Sequence, residues 1–244
     1  MNKLLPILFL ILIISCKNDK VDPDVPTGAL QKITVNGKMY ASFDYSNGIL
    51  VKESYFGSCE TPYHVTTYDY ESGRVKSVRS GLRGVYSSNS NAMCDPNGVF
   101  EVSNTTFEYD SQNRIFRALR PNSITQYIYG DKQVIEKLSY NAGASVRDEY
   151  YKYDDRGNII EVRRTDPANA GTTKYEYDDK VNPLHRAGTF TGGPLSPFNT
   201  PNNVVKAFDP AGKLLWERKF SYTPAGLPSE CAETNGAVQQ YHYK

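Results

Sequence analysis

An aromatic residue, one intervening residue and a second aromatic recur eight times along this chain. The copies are Phe43-Asp44-Tyr45, Tyr68-Asp69-Tyr70, Phe107-Glu108-Tyr109, Tyr127-Ile128-Tyr129, Tyr151-Lys152-Tyr153, Tyr175-Glu176-Tyr177, Phe220-Ser221-Tyr222 and Tyr241-His242-Tyr243. Side chains two apart on a strand share a face, so each pair turns both rings to one side. The residue between them points the other way, and in most copies it is charged or polar. That is the signature of an antiparallel sheet with one buried and one wet face. Several steps between successive second aromatics fall at 20 to 25 residues, which is a repeat period. A degenerate copy, Lys206-Ala207-Phe208, lies between the sixth and the seventh.

Turn chemistry follows the pairs: Ser46-Asn47-Gly48, Glu71-Ser72-Gly73, Asp110-Ser111-Gln112-Asn113, Asp154-Asp155-Arg156-Gly157, Asp209-Pro210-Ala211-Gly212 and Thr223-Pro224-Ala225-Gly226. Asp opens such turns by accepting hydrogen bonds from backbone amides with its side chain, Pro presets φ, and Gly or Asn takes the positive-φ place. An apolar segment then returns, as in Ile49-Leu50-Val51 or Ile159-Ile160. Strand, tight turn, strand is a β-hairpin, and no stretch shows a helical apolar period. The fold class is all-β, an antiparallel hairpin meander of about sixteen short strands. Twist prevents such a sheet from lying flat, and closure removes its sticky edges. The expectation is a closed or nearly closed barrel, with an open superhelical sheet as the alternative. Hydrophobic residues make up 39% of the 244, and 19 residues are Tyr. The core must therefore lean on Tyr, whose hydroxyl tolerates a partly wet interior. Eight copies spread along the chain favour packing over a sugar-stacking platform, because a binding site would concentrate in one place.

Tyr151-Lys152-Tyr153-Asp154-Asp155-Arg156-Gly157-Asn158-Ile159 resembles the YD repeat of the Rhs family, with Tyr68–Val75 and Phe107–Ile115 as looser copies. Tyr175–Leu184 resembles a narrower group, secreted Bacteroidota lipoproteins with a porin-like domain of unknown function. Together these resemblances cover roughly residues 32–244. They imply a closed antiparallel meander and assign it no activity.

The N-terminus reads as an address. Lys3 precedes an uncharged, apolar run from Leu4 to Ile14, too short to stop in a bilayer. Ile13-Ile14-Ser15-Cys16 resembles the lipobox of bacterial lipoproteins. The resemblance implies cleavage before Cys16 and acylation there, and two or more acyl chains hold a membrane stably. Residues 1–15 are thus expected to be a lipoprotein signal peptide and 16–31 a flexible tether with Asp19, Asp22, Pro23, Asp24 and Pro26. Residues 32–244 are the expected β-domain. Lys17-Asn18-Asp19 loosely resembles export signals of surface lipoproteins, which points to the outer membrane or cell surface. The formal charge of +1 argues against a nucleic-acid partner. Glu, Lys and Asp on the outward face argue against a membrane pore, which needs an apolar band there.

An export signal implies an oxidising compartment. Cys59 and Cys94 sit in loop-like sequence flanking one hairpin, a candidate disulfide, while pairings with Cys231 stay open. His64, His185 and His242 lack metal-ligand spacing, so no zinc and no cofactor is expected. The acid pairs Asp154-Asp155 and Asp178-Asp179 could suggest calcium or a glycosidase, but turn chemistry accounts for them. Two segments break the period, Ser87–Gly98 and His185–Asn203. Long loops in compact domains are functional or disordered. The second, with His185, Arg186, Phe190 and Phe198, is the candidate ligand loop; the bland reading is a plug at a barrel end with both Phe packed. The expected function is a membrane-anchored, non-enzymatic β-meander acting as a binding or envelope-structural module, with an envelope protein or a glycan as partner. The alternatives are a carbohydrate-binding accessory protein in glycan uptake and, less favoured, a hydrolase.

Overall fold

The computed structural model describes residues 27–57, 59–84, 92–95, 97–140, 145–166, 170–190 and 193–244. The expected signal peptide, Cys16 and the tether as far as Pro26 lie outside the described residues, as does part of Ser87–Gly98. Sixteen strands run in chain order: β1 (Leu30–Val35), β2 (Lys38–Ser46), β3 (Ile49–Tyr55), β4 (His64–Glu71), β5 (Arg74–Arg83), β6 (Phe100–Tyr109), β7 (Ile115–Arg120) and β8 (Ser123–Gly130). The second half continues with β9 (Gln133–Tyr140), β10 (Ser145–Tyr153), β11 (Ile159–Arg164), β12 (Gly171–Val181), β13 (Asn202–Phe208), β14 (Leu214–Tyr222), β15 (Pro228–Glu233) and β16 (Val238–Tyr243). Each pairs antiparallel with its chain neighbours, and β16 closes on β1 with Ile33 opposite Tyr241. Closure excludes the open superhelical sheet. Strand β1 begins at Leu30, inside the segment read as tether. Polar neighbours hide it in the sequence, but Leu30 is buried in the core.

All eight aromatic pairs lie on the even-numbered strands, which run toward one end of the barrel, the base. Phe43, Tyr68, Phe107, Tyr127 and Tyr151 are buried there with Val75, Val78, Val134, Ile159 and Val162. The residues between the rings face water and pair across strands, as in Lys52 to Asp44 (3.1 Å), Lys152 to Glu161 (2.7 Å) and Arg117 to Glu108 (3.3 Å). Lys206-Ala207-Phe208 is not a copy. It lies on β13, which runs toward the opposite end, the rim, and its middle residue Ala207 is the buried one. Base turns are tight: Asn47 (φ 49°) and Gly48 (φ 79°) both take positive φ, the conformation that matches strand twist in a two-residue hairpin.

The second member of each pair is Tyr for a reason the geometry supplies. Between β3 and β4 the backbone register ends at Lys52 opposite Thr67, and the hairpins splay toward the base. Three residues on, the Tyr70 hydroxyl donates to the Leu50 carbonyl across that gap (2.8 Å). Tyr45 does the same to Leu30 (3.0 Å), Tyr109 to Val75 (2.7 Å), Tyr129 to Ile115 (2.7 Å), Tyr177 to Ile159 (2.6 Å) and Tyr243 to Pro228 (2.8 Å). A buried carbonyl without a partner is costly, and the phenol stands in for the missing ladder bond. Tyr153 differs because β9 and β10 stay paired to Gln133 opposite Lys152, and its own amide donates to Lys132 (2.9 Å). No gap remains there to fill. The Tyr222 hydroxyl turns instead to the Asp178 carboxylate.

A barrel of sixteen strands encloses a lumen wider than wall side chains can fill. In the link from β12 to β13, residues 182–190 and 193–201 occupy its base. They carry helix α1 (Pro183–Ala187), capped by the Asn182 side chain on the Leu184 amide, and a 3-10 turn at Pro197–Asn199. At the rim, Cys59 and Cys94 are bonded, with Cα atoms 4.9 Å apart, tying the β3–β4 link to the β5–β6 link. Arg83 fixes both sides, donating to Thr61 Oγ1 (2.9 Å) and the Asp95 carbonyl (2.7 Å) and lying over the Phe100 ring. Cys231 is a free, buried thiol.

Candidate functional site

The four residues of the expected ligand loop converge only in part: His185 and Phe190 border one cavity of about 310 Å³ with Ile115 and Tyr129, while Arg186 and Phe198 lie elsewhere. His185 donates from Nδ1 to the Asn199 carbonyl (2.7 Å) and is exposed. Arg186 lies at the base beside Gly28. Phe190 enters the core, its ring 5.3 Å from Phe107 and 6.1 Å from Tyr68, and its amide donates to the Tyr68 hydroxyl (3.0 Å). That hydroxyl in turn donates to buried Glu53, which also accepts from Tyr55 (2.9 Å). The loop is a plug held by a chain of polar contacts running from its backbone into the wall. Phe198 leaves the plug toward free lumen, with Leu184 beside it.

There it meets a cluster on β14 to β16. The Phe198 and Trp216 rings stack at 6.0 Å with an interplanar angle of 23°. The Arg218 guanidinium lies 5.0 Å from the centre of one and 5.1 Å from the other. Two Arg218 nitrogens donate to Glu233 Oε1 (3.1 and 2.8 Å), which also accepts from Gln239 Nε2 (3.0 Å). The Tyr241 hydroxyl donates to Gln239 Oε1 (3.1 Å). Free space flanks this cluster on both sides. A cavity of about 290 Å³ is bounded by Tyr40, Tyr55, Tyr241, Leu184, Phe198 and Gln239. Another of about 440 Å³ reaches the β15–β16 turn at Thr234 and Asn235. Burial raises the Tyr40 hydroxyl pKa.

A second polar cluster lines the lumen on the opposite wall. Glu149, buried, accepts from Tyr151 (2.6 Å) and Arg164 (3.3 Å) and pairs with Arg147 (3.2 Å). Arg147 also reaches Glu136 (3.5 Å), whose carboxyl is held above the usual carboxylate range by burial and then by the charge on Glu149. Arg120 donates to Thr105 (3.2 Å) and Thr125 (3.3 Å). Side chains of Arg147 and Arg164 are inward by register yet 37% and 43% exposed, so solvent enters the rim half of the lumen.

The acid pairs are already engaged, although only Asp154-Asp155 lies at a turn; Asp178-Asp179, read as turn residues in the sequence, lies on β12, which runs on to Val181. Asp154 accepts from the amides of Arg156 (2.9 Å) and Asn158 (2.8 Å), and Asp178 from the Asn203 amide (3.1 Å). Among the described residues no group of three or more His, Cys, Asp and Glu side chains is placed to hold a metal ion. His64 packs in the lumen against Ser80 (2.7 Å) and Tyr55, and His242 meets Thr34 (3.1 Å).

The lumenal residues Glu149, Arg218 and Gln239 went unread in the sequence, although a signal for them exists. The position two before each aromatic pair also faces inward. It holds Thr at 66, 105, 125 and 173 and Ala at 41, and only Glu149, Arg218 and Gln239 depart from these small residues. Trp216 continues the same row on β14.

No family model matches the chain, and no curated protein does. Among solved structures the chain is similar to a porin-like protein from Bacteroides uniformis ATCC 8492, at 11% identity over 91% of this chain and 99% of that one, with a TM-score of 0.41. It is also similar to a porin-like protein from Bacteroides vulgatus ATCC 8482, at 10% identity over 89% of this chain and 99% of that one, with a TM-score of 0.39. A chain of the TcdB2-TccC3-Cdc42 structure is similar at 11% identity over 84% of this chain and 11% of that one, with a TM-score of 0.31.

Proposed function

We propose that this chain is an exported lipoprotein, held to the outer membrane or cell surface by acyl chains on Cys16, whose barrel is a non-enzymatic binding module with the lumen as its binding surface. One observation carries the reading: the lumen is closed at the end where the chain enters and wet at the other. The Gly28 amide donates to the Lys244 carbonyl (3.0 Å), which puts the start of the described chain at the base beside the plug. A tether there turns the plugged base to the membrane and the rim to the surroundings. The charged pairs on the outer wall suit a barrel standing in water. The lumenal clusters suit recognition better than reaction, because every acid described there is bonded to a partner.

Metabolic labelling with a palmitate analogue tests the anchor. Label on the wild-type protein, its loss in Cys16→Ser and release of that variant from the membrane fraction are the expected results. An unlabelled, membrane-free wild-type protein would overturn the reading.

A further inference from the structure

The reading of the lumen as a binding surface can be carried to a ligand class, and the inference in this subsection rests on that reading. We infer that the space around Phe198, Trp216, Arg218, Glu233 and Gln239 binds a neutral, pyranose-sized sugar. The aromatic faces supply an apolar wall. Phe198 keeps 37% of its surface open, which a packed core ring would not. Beside that wall stand planar polar groups fixed in one orientation: the Arg218–Glu233 pair, the Gln239 amide held by Tyr241, and Asn235 at the mouth. A ring with a C–H face and an equatorial edge of hydroxyls matches an aromatic face bordered by such forks, because each hydroxyl both donates and accepts.

Charge selects against anions. Arg218 is neutralised by Glu233, so the lining presents no unpaired cation to an anionic group. Polarity selects against a greasy ligand. Covering Gln239, Glu233 and Asn235 with hydrocarbon would strip them of water without replacing the bonds. Space admits a ligand of this size: cavities of about 290 Å³ and 440 Å³ flank the cluster, both toward the small end of ligand pockets.

The protein carries its own reporter, since Trp216 is its one tryptophan. The test follows Trp216 emission of the full-length protein in detergent during titration with glucose, galactose, mannose, N-acetylglucosamine and maltose. Glucuronate and anilinonaphthalene sulfonate form the comparison arms. The expected result is a saturable change with at least one neutral sugar, weakened tenfold or more in both Phe198→Leu and Gln239→Ala. Tyr127→Phe, on the far wall, keeps the wild-type affinity, and melting temperatures report whether each variant is folded. A sugar response unaltered in folded Phe198→Leu and Gln239→Ala would place the sugar elsewhere and overturn the inference. Saturation by glucuronate or the naphthalene dye and by none of the neutral sugars would overturn the ligand class and leave the lumen as a binding surface. No response to any probe would sink the ligand class; retention of the label on Cys16 in that same preparation would show that the anchor survives it.

Discussion

At the scale of single residues the second tyrosine of six of the eight pairs does two jobs that separate cleanly. Its ring packs, and its hydroxyl bridges the splay between hairpins. Replacing Tyr by Phe removes the second job and keeps the first. A hydrogen bond of this kind contributes about 0.5–1.5 kcal/mol net, with more at stake if the carbonyl is then left dry. Tyr70→Phe and Tyr109→Phe are therefore each expected to lower stability by about 1 kcal/mol, read as a lower denaturant midpoint at unchanged slope. Tyr153→Phe is expected to change it by a few tenths at most, because the β9–β10 ladder already runs to Lys152 opposite Gln133. Equal losses at all three positions would refute the bridging role. At the six bridging positions the same role explains why Phe appears at the first place of a pair, in Phe43, Phe107 and Phe220, and not at the second.

At the scale of elements, the plug and the rim disulfide each close a gap that strands alone leave. The Cys59–Cys94 bond spans a sequence separation of 35 residues, for which the chain-entropy model gives about 3–4 kcal/mol. Reduction, or the double variant Cys59→Ser with Cys94→Ser, is expected to lower the melting temperature markedly while far-ultraviolet circular dichroism keeps its β signature below that temperature. An unchanged melting temperature would show that the bond adds nothing to the folded state. The hairpins were legible in the sequence because each declares itself locally: an alternating pair of rings, then Asx, Pro or Gly at the turn. The plug was legible only as a break in that rhythm. Nothing in Gly188-Thr189-Phe190 announces that Phe190 will lie between Phe107 and Tyr68, because that contact is made across 122 residues. Glu53 shows the same limit. A glutamate on a strand reads as wet, and only the enclosed Tyr55 and Tyr68 hydroxyls make its burial tolerable.

At the scale of the whole molecule, a core built on phenols ties the fold to alkaline pH. Burial raises the folded-state pKa of many tyrosines: Tyr45 is pushed up to about 12 from 10.0, and Tyr68, Tyr127, Tyr151 and Tyr241 are raised as well, in each case chiefly because a phenolate would be desolvated. The thiol of Cys231 moves the same way, to about 11. These groups are neutral when protonated, so below about pH 9 both folded and unfolded chains hold their protons and stability is unaffected by them; from about 9 the unfolded Cys231 thiol begins to lose its proton while the folded one keeps it. Above 10 the unfolded chain releases protons that the folded chain retains, and stability falls with each step in pH. The effect is cumulative around the barrel, since each phenolate formed also removes a donor from a splayed seam. The expected course is a flat stability plateau through neutral pH and then a steep, cooperative loss of β structure above about pH 10. Tyrosinate absorbance should rise in the same narrow interval as the circular dichroism falls. A tyrosinate titration centred near pH 10, with the β signal intact throughout, would mean that the phenols meet water freely and that the barrel's interior is not the dry ring of tyrosines on which its closure depends.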